Sequence, residues 1–212
     1  MIRFNKTNKD EEVKVTIESI DKGHHQVSYR GVKAIRCPFD YVMYQMIISE
    51  VQPDLIIEIG TRKGGGAYYM ADLLDSIGKG VIHTIDIVDE VDLIVKKHDR
   101  ITFFTEGWIG YDLELTKDFC KILIIEDASH MYEDTIGVLN KFHSIVSKES
   151  YIIVEDGIIN ELGLEKKYNG GPLRAIREFM PLHTDFVIDR KWCDMFGKNA
   201  TFNVNGFLKK VK

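Results

Sequence analysis

Two stretches of this 212-residue chain close on the same pair of acids: residues 121–127 read KILIIED and residues 151–156 read YIIVED. Short β-branched runs of this kind form strands buried on both faces, so the acids stand where each strand stops. As parallel neighbours about 4.8 Å apart, the two strands would bring Asp127, Glu155 and Asp156 together at the carboxyl-end crevice of the sheet. Anions gathered there repel one another unless a cation or proton intervenes, and an all-oxygen set suits Mg²⁺, Mn²⁺ or Ca²⁺ better than zinc. The competing reading is that the acids cap the helices that follow; two successive strands ending alike favour the metal. Because side chains alternate along a strand, Glu155 and Asp156 can serve one ion only past its end, where Gly157 permits the turn. His130, three residues after Asp127 in DASHMYED, leaves the same strand end. Beside a metal, its imidazole is placed to take a proton from a hydroxyl; without such neighbours it would simply begin a helix and face solvent. The other histidines, His24, His25, His83, His98, His143 and His183, have no such setting and are expected at the surface or in packing.

A second set of candidates lies in EIGTRKGGG, residues 58–66. Glycines let the backbone turn tightly and approach a ligand, and the helix N-terminus beyond them offers unpaired N–H groups suited to a carboxylate or phosphate. Glu58, Gly60, Thr61, Gly64, Gly65 and Gly66 are therefore candidates for holding a nucleotide or nucleoside, the alternative being a tight turn and nothing more. The spacing is not the GxGxxG of dinucleotide sites. Asp86 ends the next apolar run, 26 positions after Gly60. There a carboxylate can accept hydrogen bonds from both ribose hydroxyls, or cap the next segment. Trp108, just past the third run, can stack on an adenine or close a core edge.

Elements that could position these groups are readable from the periodicity. Apolar runs at 55–60, 81–87, 101–107, 121–127 and 151–156 alternate with AYYMADLLDSIG and MYEDTIGVLNKFHSIVS, whose apolar residues recur at three and four. This is the signature of parallel strands joined by crossover helices. After residue 170, PLRAIREFM reads as a helix, and TDFVIDR and TFNVNGFLKK as an antiparallel edge pair. The expected fold is α/β and Rossmann-like: a mostly parallel seven-stranded sheet, helices on both faces, the last strand reversed. Earlier, VKVTIES is a possible strand and DYVMYQMIISEV, after Pro38, an amphipathic helix. Residues 1–35 are expected to form an N-terminal extension and 36–212 a single domain.

Composition narrows the function classes. Hydrophobic residues at 44% and charged residues at 29% fit an ordinary soluble globular protein. No apolar run approaches the roughly 20 residues that cross a bilayer, and the opening MIRFNKTNKDEEVK is charged where a signal peptide is apolar. The expectation is a cytoplasmic protein with no membrane partner. A net charge of −5 without a basic stripe argues against nucleic acid. Cys37, Cys120 and Cys193 form no CxxC pair and read as reduced core or semi-core thiols.

In order, RGVKAIRCPFDYVMYQ, PDLIIEIGTRKGGG, VIHTIDI, DASH, YIIVEDG and NGGPLRAIREF resemble the cephalosporin hydroxylase and rhamnosyl O-methyltransferase family, which is similar to metal-dependent macrolide-sugar methyltransferases. The resemblance spans about residues 30 to 210 and implies a class I methyltransferase fold. It implies that Glu58, Gly60, Thr61, Gly64, Gly65, Asp86, Trp108 and Asp127 bind S-adenosylmethionine. It implies further that Asp127, Glu155 and Asp156 hold Mg²⁺ (or Mn²⁺), and that His130, with Asp127, frees a hydroxyl for methylation. The acceptor so implied is a small molecule, a sugar in a glycoside or natural product, and a homo-oligomer is compatible with the family. Tyr111, Tyr132 and the loop 158–171 are expected to cover the substrate. The rivals are an NAD-linked oxidoreductase or epimerase, disfavoured by the missing GxGxxG, and a non-catalytic binding protein of methyltransferase shape, disfavoured by DASH and VED.

Overall fold

Thr16 and Ser19 decide how the described chain begins. The structure is a computed structural model that describes residues 12–212; most of the charged opening segment, the first part of the expected extension, lies outside them. Residues 13–19, expected as a strand, lead instead into helix α1 (Ile17–His24). The Thr16 hydroxyl accepts from the Ser19 N–H and the Ser19 hydroxyl accepts from the Thr16 N–H, a reciprocal cap that commits the chain to a helix. A hairpin comes next, β1 (Ser28–Tyr29) and β2 (Val32–Lys33), turning through Arg30 and Gly31 at φ 48° and 87°. Helix α2 (Pro38–Val51) starts with proline in its first turn, where no N–H is needed, and stops at Gln52 in a left-handed conformation.

The alternation then runs through β3 (Leu55–Ile59), α3 (Gly65–Ile77), β4 (Val81–Ile85), α4 (Leu93–Lys96), β5 (Ile101–Phe104), α5 (Gly107–Gly110), β6 (Ile122–Glu126), α6 (Tyr132–Phe142), β7 (Tyr151–Val154) and α7 (Gly171–Phe179). It closes with β8 (Phe186–Ile188), α8 (Arg190–Cys193) and β9 (Phe207–Lys210). Seven strands form one sheet in the order β5-β4-β3-β6-β7-β9-β8. The first five are parallel, while β9 runs antiparallel to both β7 and β8, inserted between them. The expected mixed sheet with a reversed last strand is thus the observed one.

Strand alternation divides the core. Ile56, Ile82, Leu123, Ile125 and Ile153 pack beneath α2 and α3, and Leu55, Ile57, Ile124 and Ile152 beneath α6 and α7. All nine are fully buried, each worth about 1.5–3 kcal/mol in transfer from water. Cys37 and Cys193 are buried as expected, whereas Cys120 is exposed, in the turn that precedes β6. No helix among the described residues is long and apolar enough to cross a membrane. The chain reverses its direction of strand addition at β3, with β4 on one side and β6 on the other. Open α/β sheets bind ligands beyond the carboxyl ends of strands at such a point.

Candidate functional site

A cleft of about 830 Å³ opens there, lined by the ends of β3, β4 and β6, the turn into α3, α1 and the segment after β7. Its floor is made by glycine. Gly60 has φ 102°, and a Cβ on it would stand 1.8 Å from the Asp127 carbonyl oxygen, so only glycine lets the ends of β3 and β6 come this close. Gly64 caps α3 at φ 83°. A side chain on Gly65 would strike the Lys33 carbonyl at 2.2 Å, and one on Gly66 would meet Glu58 Oε1 at 2.6 Å. The turn is therefore packed against the hairpin and the buried Glu58.

Glu58 lies buried beneath this turn. The Thr84 hydroxyl donates to its Oε2 at 2.6 Å, so the contact of 2.6 Å between Thr61 and Thr84 has Thr61 as donor. Burial, opposed by Arg36 and Thr84, pushes the Glu58 carboxyl up to about 7. Asp86 borders the cleft, its carboxylate oriented by the N–H groups of Arg62 at 2.8 Å, Ile87 at 2.7 Å and Val88 at 3.3 Å. It therefore caps the start of the segment 87–88 and presents an acid to the cleft at once. Trp108 borders the cleft, lies across Gly137 of α6, and donates from Nε1 to Asp134 at 3.2 Å.

At the other side of the Gly60 contact, one ligand atom each from Asp127, His130 and Asp156 lie within 4.8 Å of one another. His130 Nε2 stands 3.3 Å from Asp156 Oδ2. His130 and Asp156 hold left-handed backbones, φ 61° and 55°, which for residues other than glycine are uncommon and concentrate at functional sites. Asp127 keeps about a fifth of its side chain exposed (21%). Burial first, then the negative charges of Glu155 and Asp156, hold its carboxyl well above the usual carboxylate range.

Glu155 is not brought into this group. Its carboxylate is buried and taken up by Arg36, with Nη2 at 2.6 Å and Nε at 3.3 Å, and by the Tyr44 hydroxyl at 2.6 Å. The reason is register. Glu126 pairs with Val154 across the two strands, so the Glu-Asp pairs are staggered by one residue and their glutamates point to opposite faces of the sheet. Glu155 points to the α2 face; Asp156 reaches the cleft only because the chain has left the strand.

Arg36 is the group that sequence reasoning misses. It is 4% exposed, stacks over the Tyr44 ring at 4.5 Å, and sets Nη2 3.8 Å from both Glu58 and Asp127 besides its close pair with Glu155. One signal could have found it: a charge inside the otherwise apolar run AIRCPF marks a buried ion that must have partners. Two expected cover residues lie elsewhere. Tyr111 is buried in a contact of 2.5 Å with His83 Nδ1, and Tyr132 donates to Glu178 at 2.5 Å beneath the Arg174 guanidinium. Neither borders the cleft, because each finds a polar partner within its own packing layer. From the expected loop, Ile158, Ile159, Leu162, Leu164 and Tyr168 do border it. So do His24 and His25, against the expectation that they serve only packing or the surface.

Residues 21–211 match the model of the family described as Rhamnosyl O-methyltransferase/CmcI. A rhamnosyl O-methyltransferase of Mycobacterium tuberculosis is 28% identical over 192 residues, covering 86% of this chain and 78% of the relative. One of Mycobacterium leprae is 28% identical over 193 residues, covering 85% and 82%. Among solved structures, CmcI with SAH superposes at a TM-score of 0.69 with 16% identity, covering 99% of this chain and 98% of the other. CmcI designated Mg-SAM gives 0.68 with 18% identity, covering 100% and 88%.

Proposed function

We propose, given that this chain belongs to the rhamnosyl O-methyltransferase/CmcI family, that it transfers a methyl group from S-adenosylmethionine to a sugar hydroxyl with the help of a divalent cation. The observation that carries this reading is the meeting of Asp127, His130 and Asp156 in one cleft with the glycine turn and Asp86. The name of the mycobacterial relatives supports the sugar, and the cofactor named for the CmcI structures supports the donor.

The residues fit a cation. Two carboxylates and an imidazole nitrogen converge, and the crowding of charge that raises Asp127 is what a divalent ion would relieve. Asp127 and Asp156 would hold it, with Mg²⁺ or Mn²⁺ suited to this donor set. Glu155 would join them only by releasing Arg36 and Tyr44. Once bound, the cation supplies Lewis acidity that lowers the proton affinity of a nearby hydroxyl, and S-adenosylmethionine supplies an electrophilic methyl group.

The chain's own residues do the rest. His130 takes the proton of the acceptor hydroxyl, and the negative charge of Asp156, whose Oδ2 lies 3.3 Å from Nε2, favours the imidazolium that results. The glycine turn and Asp86 fix the nucleoside on one side of Asp127, and Ile158, Leu162 and Tyr168 shield the acceptor from water on the other. The test is methyl transfer from labelled S-adenosylmethionine to a panel of glycosides, with and without EDTA. Transfer that stops on chelation and returns with Mg²⁺ is expected. Transfer indifferent to EDTA removes the cation, and failure to bind S-adenosylhomocysteine removes the reading itself.

A further inference from the structure

Helix α6 carries no group that the proposed chemistry uses, yet one of its faces holds both sides of the cleft. Asp134, Gly137 and Lys141 stand at i, i+3 and i+7, in line along that face. All three meet the single turn α5 and the residue after it. The Lys141 ammonium donates to the carbonyls of Trp108, Ile109 and Tyr111 at 2.9, 2.8 and 2.6 Å, one acceptor for each of its protons. The Trp108 indole rests on Gly137, where any side chain would collide with the ring. Its Nε1 donates to Asp134 Oδ1 at 3.2 Å. The indole is thus fixed to α6 through its backbone, its ring edge and its ring nitrogen.

The second oxygen of Asp134 reaches the other side. It accepts from the Ser129 hydroxyl, whose oxygen in turn accepts from the Met131 N–H at 3.2 Å. Ser129 and Met131 are the chain neighbours of His130, so the link ties down both sides of a residue whose backbone is left-handed at φ 61°. A non-glycine residue keeps that conformation only where its surroundings impose it. An acid in the first turn of a helix is favoured by the helix dipole whatever it touches. The dipole does not account for where these two oxygens go. One serves Trp108, on the cleft wall shared with Asp86 and Ile87, and the other serves the loop that carries His130 away from β6.

We propose that Asp134 is a positioning residue that couples the methyl donor to the base: a nucleoside lying against Trp108 fixes the indole, and through Asp134 and Ser129 that order reaches His130. The proposal rests on the methyl-transfer reading for the ligand at Trp108 and for the role of His130. Order imposed at one site then lowers the cost of order at the next. The test is amide hydrogen exchange of the full chain with and without S-adenosylhomocysteine, in wild type, Asp134→Ala, Asp134→Asn and Ser129→Ala, with affinity from calorimetry. In wild type the ligand should slow exchange about tenfold both at residues 60–66 and at residues 129–132. Asp134→Ala, and Ser129→Ala at an exposed position, should keep the first effect and bind the ligand within about threefold of wild type, but slow residues 129–132 by less than about twofold. Asp134→Asn can still accept from Trp108 and donate to Ser129, and should restore the response to within about threefold of wild type. A merely structural Asp134 would raise exchange with and without ligand alike, leaving the ligand's effect on residues 129–132 unchanged. That result in either alanine variant, an asparagine variant as uncoupled as the alanine one, or a wild type that binds the ligand without slowing residues 129–132 would overturn the coupling and leave the methyl-transfer reading standing. A wild type that does not bind S-adenosylhomocysteine would overturn both.

Discussion

The Glu-Asp pair that closes β6 and the one just past β7 share a sequence and receive opposite treatment. Glu126 turns to the α6 face, where its carboxylate accepts the Ala128 N–H at 3.3 Å, and burial pushes it up to about 8. Glu155 turns to the α2 face and meets the Arg36 guanidinium and the Tyr44 hydroxyl. One glutamate is neutralised by a proton, the other by a cation from 119 residues earlier in the chain. The two aspartates, by contrast, converge on His130. An acid pair at a strand end therefore specifies that one carboxyl goes inward and one outward; what meets the inward one is decided by the sheet face that register assigns it.

This contrast can be broken by experiment, beginning where the effect is largest. Glu155→Gln leaves the buried Arg36 charge without its nearest carboxylate and should cost about 3–5 kcal/mol, read from the denaturant midpoint. On the cleft side, His130→Ala should slow methyl transfer roughly 100-fold, about 2.7 kcal/mol, with S-adenosylhomocysteine affinity retained in calorimetry. A normal rate would end its assignment as base. Next comes pH. Folded Glu126 keeps its proton to about 8 while the unfolded chain releases it near 4.5. Between those values the unfolded state binds fewer protons, so this residue's contribution falls as pH rises. Glu126→Gln does not titrate and should gain on wild type across that window by no more than about 1.4 kcal/mol per unit, checked by thermal unfolding at several pH values. The smallest effect is Glu126→Gln at the acid end of that window, near pH 4.5, within about 1 kcal/mol of wild type, since there a neutral group replaces a largely neutral one in both the folded and the unfolded chain. Equal losses for Glu126→Gln and Glu155→Gln would erase the distinction drawn between the two faces.

Much of the frame is legible in the sequence because it depends on short-range pattern. The strands announce themselves by β-branched runs, the helices by apolar spacing, and the turn at Gly60 by three further glycines within six residues. The site is legible only in part. Asp127, His130 and Asp156 share strand ends and so can be grouped by topology alone. Glu155 cannot be excluded from the group, because a one-residue stagger between β6 and β7 leaves no mark in either segment. Arg36 escapes notice because its partners, Glu58, Asp127 and Glu155, are all distant in sequence. Residues 13–19 mislead for a local reason: alternating valines suggest a strand, yet the Thr16–Ser19 cap outweighs them.

At Gly60 the backbone of the glycine turn touches the backbone carrying Asp127, with no side chain between. In the function proposed, the spacing between donor and acceptor is consequently set like a machined fitting, by main-chain geometry that ordinary substitution cannot tune. Variation in such a protein is free to reshape what enters the cleft, while the distance over which a methyl group travels stays the same.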